Sequence, residues 1–496
     1  MAANQNIAVS TELGIHAGIL QELIGVFTDV EPADVKATLL LEELGLDSIA
    51  AVQLANELFL QFQLQIHPDE LFKLSLNVLT EHLQKPPSAT STGPNARDLT
   101  SESVSIASLA AALPTNGLAT GPPILGHSFD PFEILAESNS TYETAAQRSG
   151  FAEYWSSVSP LQNDLVLCYI NEAFITLGVD LSEHPCGVEI SIPSCIPKYD
   201  RLMKRLLDIL ESGYIITQHA GKVLRGSDRI DVNTSSHLCE QLRICHPAFE
   251  YEAKLMNLIG PRLADCLSGK LDPLSVLFGN VSARQIMEDF YRGAPMMTAH
   301  KEQLVYFFVN LTKRIAASSQ TLVRILEVGA GTGGTTAPLV AALENAKVPV
   351  NYTFTDIGAS FIHKAKGRWG RNNWMDFVTL DIEEEMPKSF RGQYDLVIGT
   401  SVVHATRDRA ATCRRLREVL RPGGVLVLSE LTRPINWYDI CFGLLDGWWL
   451  SGGYAIQPAT VWMDAFRKAG FKGTGHSGGK SEEANTQQLL VACTED

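Results

Sequence analysis

Apolar residues recur at helical spacing through the first eighty positions and again across a long middle region. Only in the last third do they gather into short runs separated by helical stretches. In the first region the spacing predicts helices over Gly14–Phe27 and Ser48–Phe62, the second with Ile49, Val52, Ala55 and Phe59 on or near one face. Leu39–Leu46 reads as a loop, and Leu76–Leu83 closes the set. Residues 86–122 change character: Pro86-Pro87-Ser88-Ala89-Thr90-Ser91-Thr92-Gly93-Pro94 and Pro114-Thr115-Asn116-Gly117 are linker chemistry around a short apolar piece, Ile106–Leu113. Residues 123–320 read as predominantly helical, for example over Tyr199–Leu210, Pro247–Leu258 and Val281–Ala316, with no repeat and no alternating strand series. From residue 321 strands and helices alternate. The strands are Arg324–Val328, Asn351–Thr355, Phe377–Leu380, Tyr394–Gly399, Gly424–Ser429 and Gln488–Cys493, the pattern of a doubly wound α/β domain.

Composition bounds this picture without changing it. The chain of 496 residues is 45% hydrophobic and 19% charged, which fits globular protein of roughly two to four domains. No stretch reaches the roughly 20 apolar residues of a membrane span. Met1-Ala2-Ala3-Asn4-Gln5-Asn6 has neither a basic segment nor an apolar core behind it, so no signal peptide is expected and a reducing cytoplasm is. Nine scattered cysteines without a C-x-x-C pair argue against a disulfide framework or a zinc site, and no metal cluster is apparent. Triplets such as Asn280-Val281-Ser282 read as chance glycosylation matches. Net charge is −16, and residues 1–85 hold twelve Asp/Glu against three Lys, more than half of that excess. A nucleic-acid partner needs a basic face and is excluded; a small acidic domain that visits basic partners fits better.

Candidate chemistry begins at Glu327-Val328-Gly329-Ala330-Gly331-Thr332-Gly333, which follows an apolar strand and precedes a helical stretch. Glycines permit a tight turn and the close approach of a ligand, although a glycine run alone is equally a plain βα turn. The spacing G-x-G-x-G differs from the dinucleotide form G-x-G-x-x-G, leaves no place for a pyrophosphate, and suits the sulfonium amino acid of S-adenosylmethionine. Asp356, followed by Ile357, ends the second strand, where an acid can take both ribose hydroxyls. Asp381 and Ile382 end the third, where an acid can reach the adenine amine and an aliphatic side chain can cover the ring. Each acid singly is most often a helix cap or a solvated residue. With Glu327 they make three acids at successive strand ends, and residues 321–496 resemble a class I S-adenosylmethionine-dependent methyltransferase. The resemblance implies a Rossmann-like, seven-stranded sheet with a reversed last hairpin at Phe471–Gly475 and Gln488–Cys493.

His404 stands just beyond the fourth strand and Glu430 ends the fifth. These strands are neighbours in such a fold, so the two side chains should converge. A carboxylate beside an imidazole fixes its tautomer and stabilises its protonated form, which makes His404 a candidate general base and Glu430 its orienting partner. The plain alternative is a capping histidine and a glutamate paired with Arg433. A histidine base serves an oxygen acceptor as well as an acidic carbon.

Near the start, Glu42-Glu43-Leu44-Gly45-Leu46-Asp47-Ser48-Ile49 sets a serine at the head of a helix. Alone, such a pair is most often an N-cap at Asp47. Within an acidic helical domain of this size the motif resembles acyl carrier proteins, which implies 4'-phosphopantetheine on Ser48 and a tethered acyl chain. Carrier plus methyltransferase resembles the corresponding section of fungal non-reducing polyketide synthases. That resemblance implies a helical-bundle carrier domain (1–85), a flexible linker (86–122), a helical cap lobe for substrate (123–320) and the Rossmann-like core (321–496). It implies C-methylation of poly-β-ketoacyl thioesters, whose α-carbon between two carbonyls is acidic enough for imidazole. Leu258-Ile259-Gly260-Pro261-Arg262-Leu263 and Asp272-Pro273-Leu274-Ser275-Val276-Leu277-Phe278-Gly279 look like the cap of those enzymes. Tyr291 matches the family's active-site tyrosine, though a core aromatic is an equal reading, and Phe278 is a pocket candidate. Trp437, Tyr438, Trp448 and Trp449 either wall an acyl tunnel or fill a core. Expected partners are the tethered acyl chain, a phosphopantetheinyl transferase, and ketosynthase, product-template and acyltransferase domains outside this chain, with neither nucleic acid nor membrane. The alternative is an O-methyltransferase acting on a free small molecule; a non-catalytic module is a third reading.

Overall fold

The computed structural model describes residues 16–28, 30, 32–46, 48–83, 130–227, 234–319 and 322–495, with backbone only for Ser48, Ile49 and Ser319. The linker expected at 86–122, with Ile106–Leu113, and the capping candidate Asp47 lie outside the described residues.

The N-terminal unit packs a helix over 16–28 against Ser48–Phe62, Pro68–Leu71 and Leu76–His82. Leu20, Ile24, Leu41, Leu54, Leu58, Leu71 and Leu79 form its core. Ser75 caps the last helix by accepting from the Val78 amide, one reason the helix starts there. The core face of Ser48–Phe62 departs from the expected one. Ala50, Ala51, Leu54 and Leu58 enter the core, Phe59 is 46% exposed, and Val52 is not part of that cluster. The run Ile49-Ala50-Ala51-Val52 is apolar at every position, so periodicity alone does not choose its face.

The middle region is helical, as its spacing predicts, with two corrections. Val281–Ala316 is two helices, Val281–Gly293 and Pro295–Ser319. Ala294 takes φ −57° and ψ 139°, the extended conformation that a following proline imposes on its predecessor, and the chain turns there. A hairpin missing from the expected pattern lies at β1 (Ile216–His219) and β2 (Lys222–Arg225). Its two-residue turn, Ala220-Gly221, has φ of +51° and +78°, the positive values that a tight hairpin twist requires.

Seven further strands make one sheet: β3 (Val323–Val328), β4 (Val350–Asp356), β5 (Met375–Thr379), β6 (Tyr394–Thr400), β7 (Leu420–Leu431), β8 (Gly473–His476) and β9 (Gln487–Cys493). Their order is β5-β4-β3-β6-β7-β9-β8, parallel from β5 to β7, with β9 antiparallel to both β7 and β8. The last hairpin is therefore reversed, as the resemblance implies. Alternate side chains feed opposite faces: Ile325 joins one apolar cluster and Leu326 the other. Full burial of each such side chain contributes about 1.5–3 kcal/mol.

The cores do not divide at residue 320. Ile134 and Leu135 of helix Pro131–Ser149, and Leu304, Phe307, Phe308 and Leu311 of Pro295–Ser319, pack on the sheet. Conversely Trp437, Tyr438, Ile440, Phe442 and Trp448, which follow β7, belong to the core of the helical lobe. Strand order reverses between β3 and β6, because the chain runs outward through β4 and β5 and then crosses back. A ligand crevice forms outside the carboxyl ends of strands at such a switch point. The glycine loop follows β3 there, and His404 follows β6.

Candidate active site

The glycine loop turns sharply after β3, with φ of +60° at Gly329, +55° at Gly331 and +77° at Gly333. Two of these positions are also closed to a side chain. A Cβ on Gly329 would lie 2.2 Å from Val402 Cγ2, and one on Gly333 2.3 Å from the Trp369 ring. A Cβ on Gly331 would meet nothing within 4 Å, so there the backbone faces open space. This is a bare peptide cradle, and it fits the amino-acid end of S-adenosylmethionine. It adjoins a cavity of about 900 Å³ lined also by Tyr291, Phe361 and Trp369.

Glu327 is turned inward. Its carboxylate accepts from Thr336 Oγ1 (2.7 Å) and Tyr352 Oη (2.9 Å), tying the loop's root to the next helix and to β4. Burial pushes its pKa up to about 7. Asp356 ends β4 and accepts from the amides of Gly331 and Gly358, both at 2.8 Å, so the acid shapes the loop from the neighbouring strand. Ile357 beside it is 62% exposed and is not among the residues lining that cavity. Asp381 Oδ1 accepts from the Glu383 amide in an Asx turn. Ile382 is buried in the core beneath the sheet.

His404 and Glu430 converge. His404 Nδ1 donates to Glu430 Oε2 at 2.7 Å, which leaves Nε2 as the basic nitrogen. Glu430 Oε1 accepts in addition from the amides of Val402, Val403 and His404, at 3.2, 3.0 and 3.4 Å. The buried carboxylate thus sets both the ring and the backbone that carries it. Arg433, the alternative partner in sequence, pairs instead with Glu482 and stacks over Trp155. The His404 ring meets the edge of Trp448 at 6.0 Å. No group of three or more His, Cys, Asp or Glu able to hold a metal occurs among the described residues.

His404 is not among the residues that line the cavity beside the glycine loop, whereas Tyr291 is. Tyr291 faces the cavity beside Gly331–Gly334, and the protein around it pushes its phenol up to about 12, so it remains a hydrogen-bond donor. An aromatic wall connects the two residues: Tyr291 to Phe290 (5.2 Å between ring centres), Phe290 to Tyr438 (6.3 Å), Tyr438 to Trp448 (6.4 Å), Trp448 to His404. Phe278 packs against the lobe core and is not among the cavity-lining residues. Trp437, Tyr438 and Trp448 are core side chains, and Trp449 is half-buried against them.

Sequence reasoning missed the group that holds this wall. Asp439 is wholly buried and accepts from Arg205 Nε (2.9 Å), Tyr454 Oη (3.0 Å) and Trp448 Nε1 (3.2 Å). Burial raises its pKa, while the Arg205 guanidinium opposes that rise. Nothing in the local sequence marks it, because its partners are up to 234 residues away. Asp439→Ala takes the carboxylate from Arg205, which keeps only Asn436 Oδ1 as a side-chain acceptor, and removes the acceptor of Trp448 Nε1. It is expected to cost about 3–5 kcal/mol in a chemical-denaturation measurement, as removal of one partner of a buried ion pair does. An unchanged unfolding midpoint would show the cluster contributes no stability. Val402 and Trp369 were missed too: their only sequence signal is that loop glycines need a neighbour to fill the space they vacate.

Sheet order, bare glycine loop and the acid at the end of β4 define an S-adenosylmethionine-dependent methyltransferase. The family model described as a methyltransferase domain matches residues 326–426, a methyltransferase helix-turn-helix domain matches 136–223, and a phosphopantetheine attachment site matches 18–83. The solved CMeT domain of the citrinin polyketide synthase is 31% identical, with a TM-score of 0.71 over 76% of this chain and 100% of that one. The CurJ carbon methyltransferase is 25% identical, with a TM-score of 0.64 over 74% of this chain and 100% of that one. A non-reducing polyketide synthase of Stereocaulon alpinum is 35% identical over 96% of this chain and 20% of its own length. The methylphloroacetophenone synthase of Cladonia uncialis is 32% identical over 96% of this chain and 20% of its own. The chain therefore spans about a fifth of the curated relatives it matches. It belongs to the polyketide synthase C-methyltransferases and carries a phosphopantetheine carrier domain ahead of the enzyme. No described helix is long and apolar enough to cross a membrane.

Proposed function

We propose that this chain methylates the α-carbon of a poly-β-ketoacyl thioester held on its own carrier domain, with Ser48 bearing the phosphopantetheine arm and His404 acting as base. The observation that carries the reading is the His404–Glu430 pair, at the ends of neighbouring parallel strands beside the glycine loop. S-adenosylmethionine, when bound, supplies an electrophilic methyl on a sulfonium. Gly329, Gly331 and Gly333 would hold its amino-acid end, and Asp356, Ile357 and Asp381 are the candidates for its nucleoside end, whereas Ile382 is taken up by the core.

His404 Nε2 takes the α-proton, and Glu430 stabilises the imidazolium that results. The electron pair left on carbon is delocalised over two carbonyl oxygens. Tyr291, a neutral phenol, is suited to donate to one of them. The carbon pair then forms the new carbon–carbon bond as the methyl leaves sulfur. Because a carrier module precedes the enzyme, a tethered acceptor reaches a local concentration on the millimolar scale without diffusing.

The test is mass spectrometry of the chain after arm attachment, acylation with a β-ketoacyl group and incubation with S-adenosylmethionine. The expected product gains a methyl that survives mild hydrolysis of the thioester. A methyl lost on hydrolysis would assign transfer to oxygen, and no transfer to any thioester would remove the catalytic reading.

A further inference from the structure

Two side chains of helix Ser48–Phe62 turn away from the carrier's own core and are nonetheless covered. Val52 is 3% exposed and Gln53 4%. The helix packs there on Pro273–Phe278 of the helical lobe, and Gln53 Oε1 accepts from Lys364 Nζ of the methyltransferase core at 3.5 Å. The carrier helix thus bridges the two lobes. Lys364 also lines the cavity beside the glycine loop, so the carrier sits at that cavity's rim. Ser48 lies one turn before Val52 in the same helix.

The rim is cationic. Arg292, Lys301, Lys364 and Arg368 line it, against Glu288 and Glu302. Some of this charge is already engaged. Arg292 pairs with Asp289, Glu302 with Arg148, and Lys301 donates to the carbonyl oxygens of Tyr291 and Arg292. Lys364 and Arg368 stand one turn apart on helix Ala359–Trp369, on the side where the carrier helix arrives. Arg368 lies over the Trp369 ring at 4.4 Å, which fixes its guanidinium plane near the cavity. The carrier helix that arrives there belongs to an N-terminal segment whose sequence is strongly acidic, with twelve Asp/Glu against three Lys over residues 1–85.

We propose that Lys364 and Arg368 bind the phosphodiester of the carrier's arm, and that Val52 and Gln53 dock the carrier in cis so that the arm enters the cavity beside the glycine loop. This rests on the reading that Ser48 carries the arm. Phosphate recognition by a lysine and a planar guanidinium is favourable chemistry, and the pair would fix the arm's root while its thioester end reaches inward. The same contact explains why an apolar valine stands on the outer face of a carrier helix.

The experiment compares three acceptors with one β-ketoacyl group: acyl-pantetheine, acyl-phosphopantetheine, and the acylated carrier of the full chain. Wild type is expected to prefer the phosphorylated free acceptor over the unphosphorylated one by about tenfold in kcat/KM, and K364E/R368E to lose that preference. Val52→Glu is expected to slow methylation of the chain's own carrier and leave acyl-phosphopantetheine unaffected; the carrier's helical circular dichroism checks that it stays folded. Gln53→Lys, which sets a second cation against Lys364, is likewise expected to slow the carrier reaction. Equal wild-type rates on the two free acceptors, or equal loss on both in K364E/R368E, would overturn the phosphate site. Unchanged carrier methylation in Val52→Glu would overturn the docking. Turnover of acyl-pantetheine reports the methyl-transfer reading separately, since that acceptor has neither phosphate nor carrier.

Discussion

His404→Ala is expected to lower the single-turnover rate of carbon methylation by about 10²–10⁴-fold, the usual contribution of a positioned base. Affinity for S-adenosylmethionine, measured by calorimetry, should hardly change. The reasons are geometric. His404 follows β6, whereas the loop that would hold the methyl donor follows β3. Its ring contacts are Glu430 and Trp448, neither of them in that loop. The backbone at 402–404 is held by Glu430 through its amides, and an alanine keeps those amides. A matching loss of cofactor affinity would make His404 a structural residue. Rescue of the rate by added imidazole would support the base directly.

Ser48→Ala is expected to abolish methylation of the carrier-bound chain and to leave turnover of a free β-ketoacyl thioester intact. The hydroxyl is the attachment point in the proposed reading, and alanine has none. Helix Ser48–Phe62 should still form, because Ala50, Ala51, Leu54 and Leu58 anchor it in the carrier core. Intact mass after incubation with coenzyme A and a phosphopantetheinyl transferase reads the result: wild type gains the arm and the variant does not. A variant that still gains it would move the attachment to another residue.

Six of the seven strands were legible because each is a short apolar run closed by polar or glycine residues, and β-sheet burial needs such runs; β8, Gly473–His476, has no such run and was expected only from the resemblance. The convergence of His404 and Glu430 was legible for a related reason. Both stand at carboxyl ends of strands, and strand order in this fold puts those ends together. What stayed hidden depends on long-range packing. Val52 was placed with the wrong neighbours, because four successive apolar residues leave the helix face undetermined. The break at Ala294 follows from Pro295, a local signal that the longer apolar period outweighed. Asp439 reads as an unremarkable acid in Trp437-Tyr438-Asp439; only the fold brings Arg205 and Trp448 to it. The inward turn of Glu327 was equally out of reach, since Tyr352 meets it from a different strand.

Glu430 holds His404 from within the core sheet rather than from the helical lobe, whose Trp448 meets only the ring. Four of its hydrogen bonds go to residues 402–404, and β7, which carries it, pairs with β6 and β9 inside the core sheet. The backbone that carries the imidazole is therefore fixed within the core sheet, while the lobe reaches its ring only through Trp448.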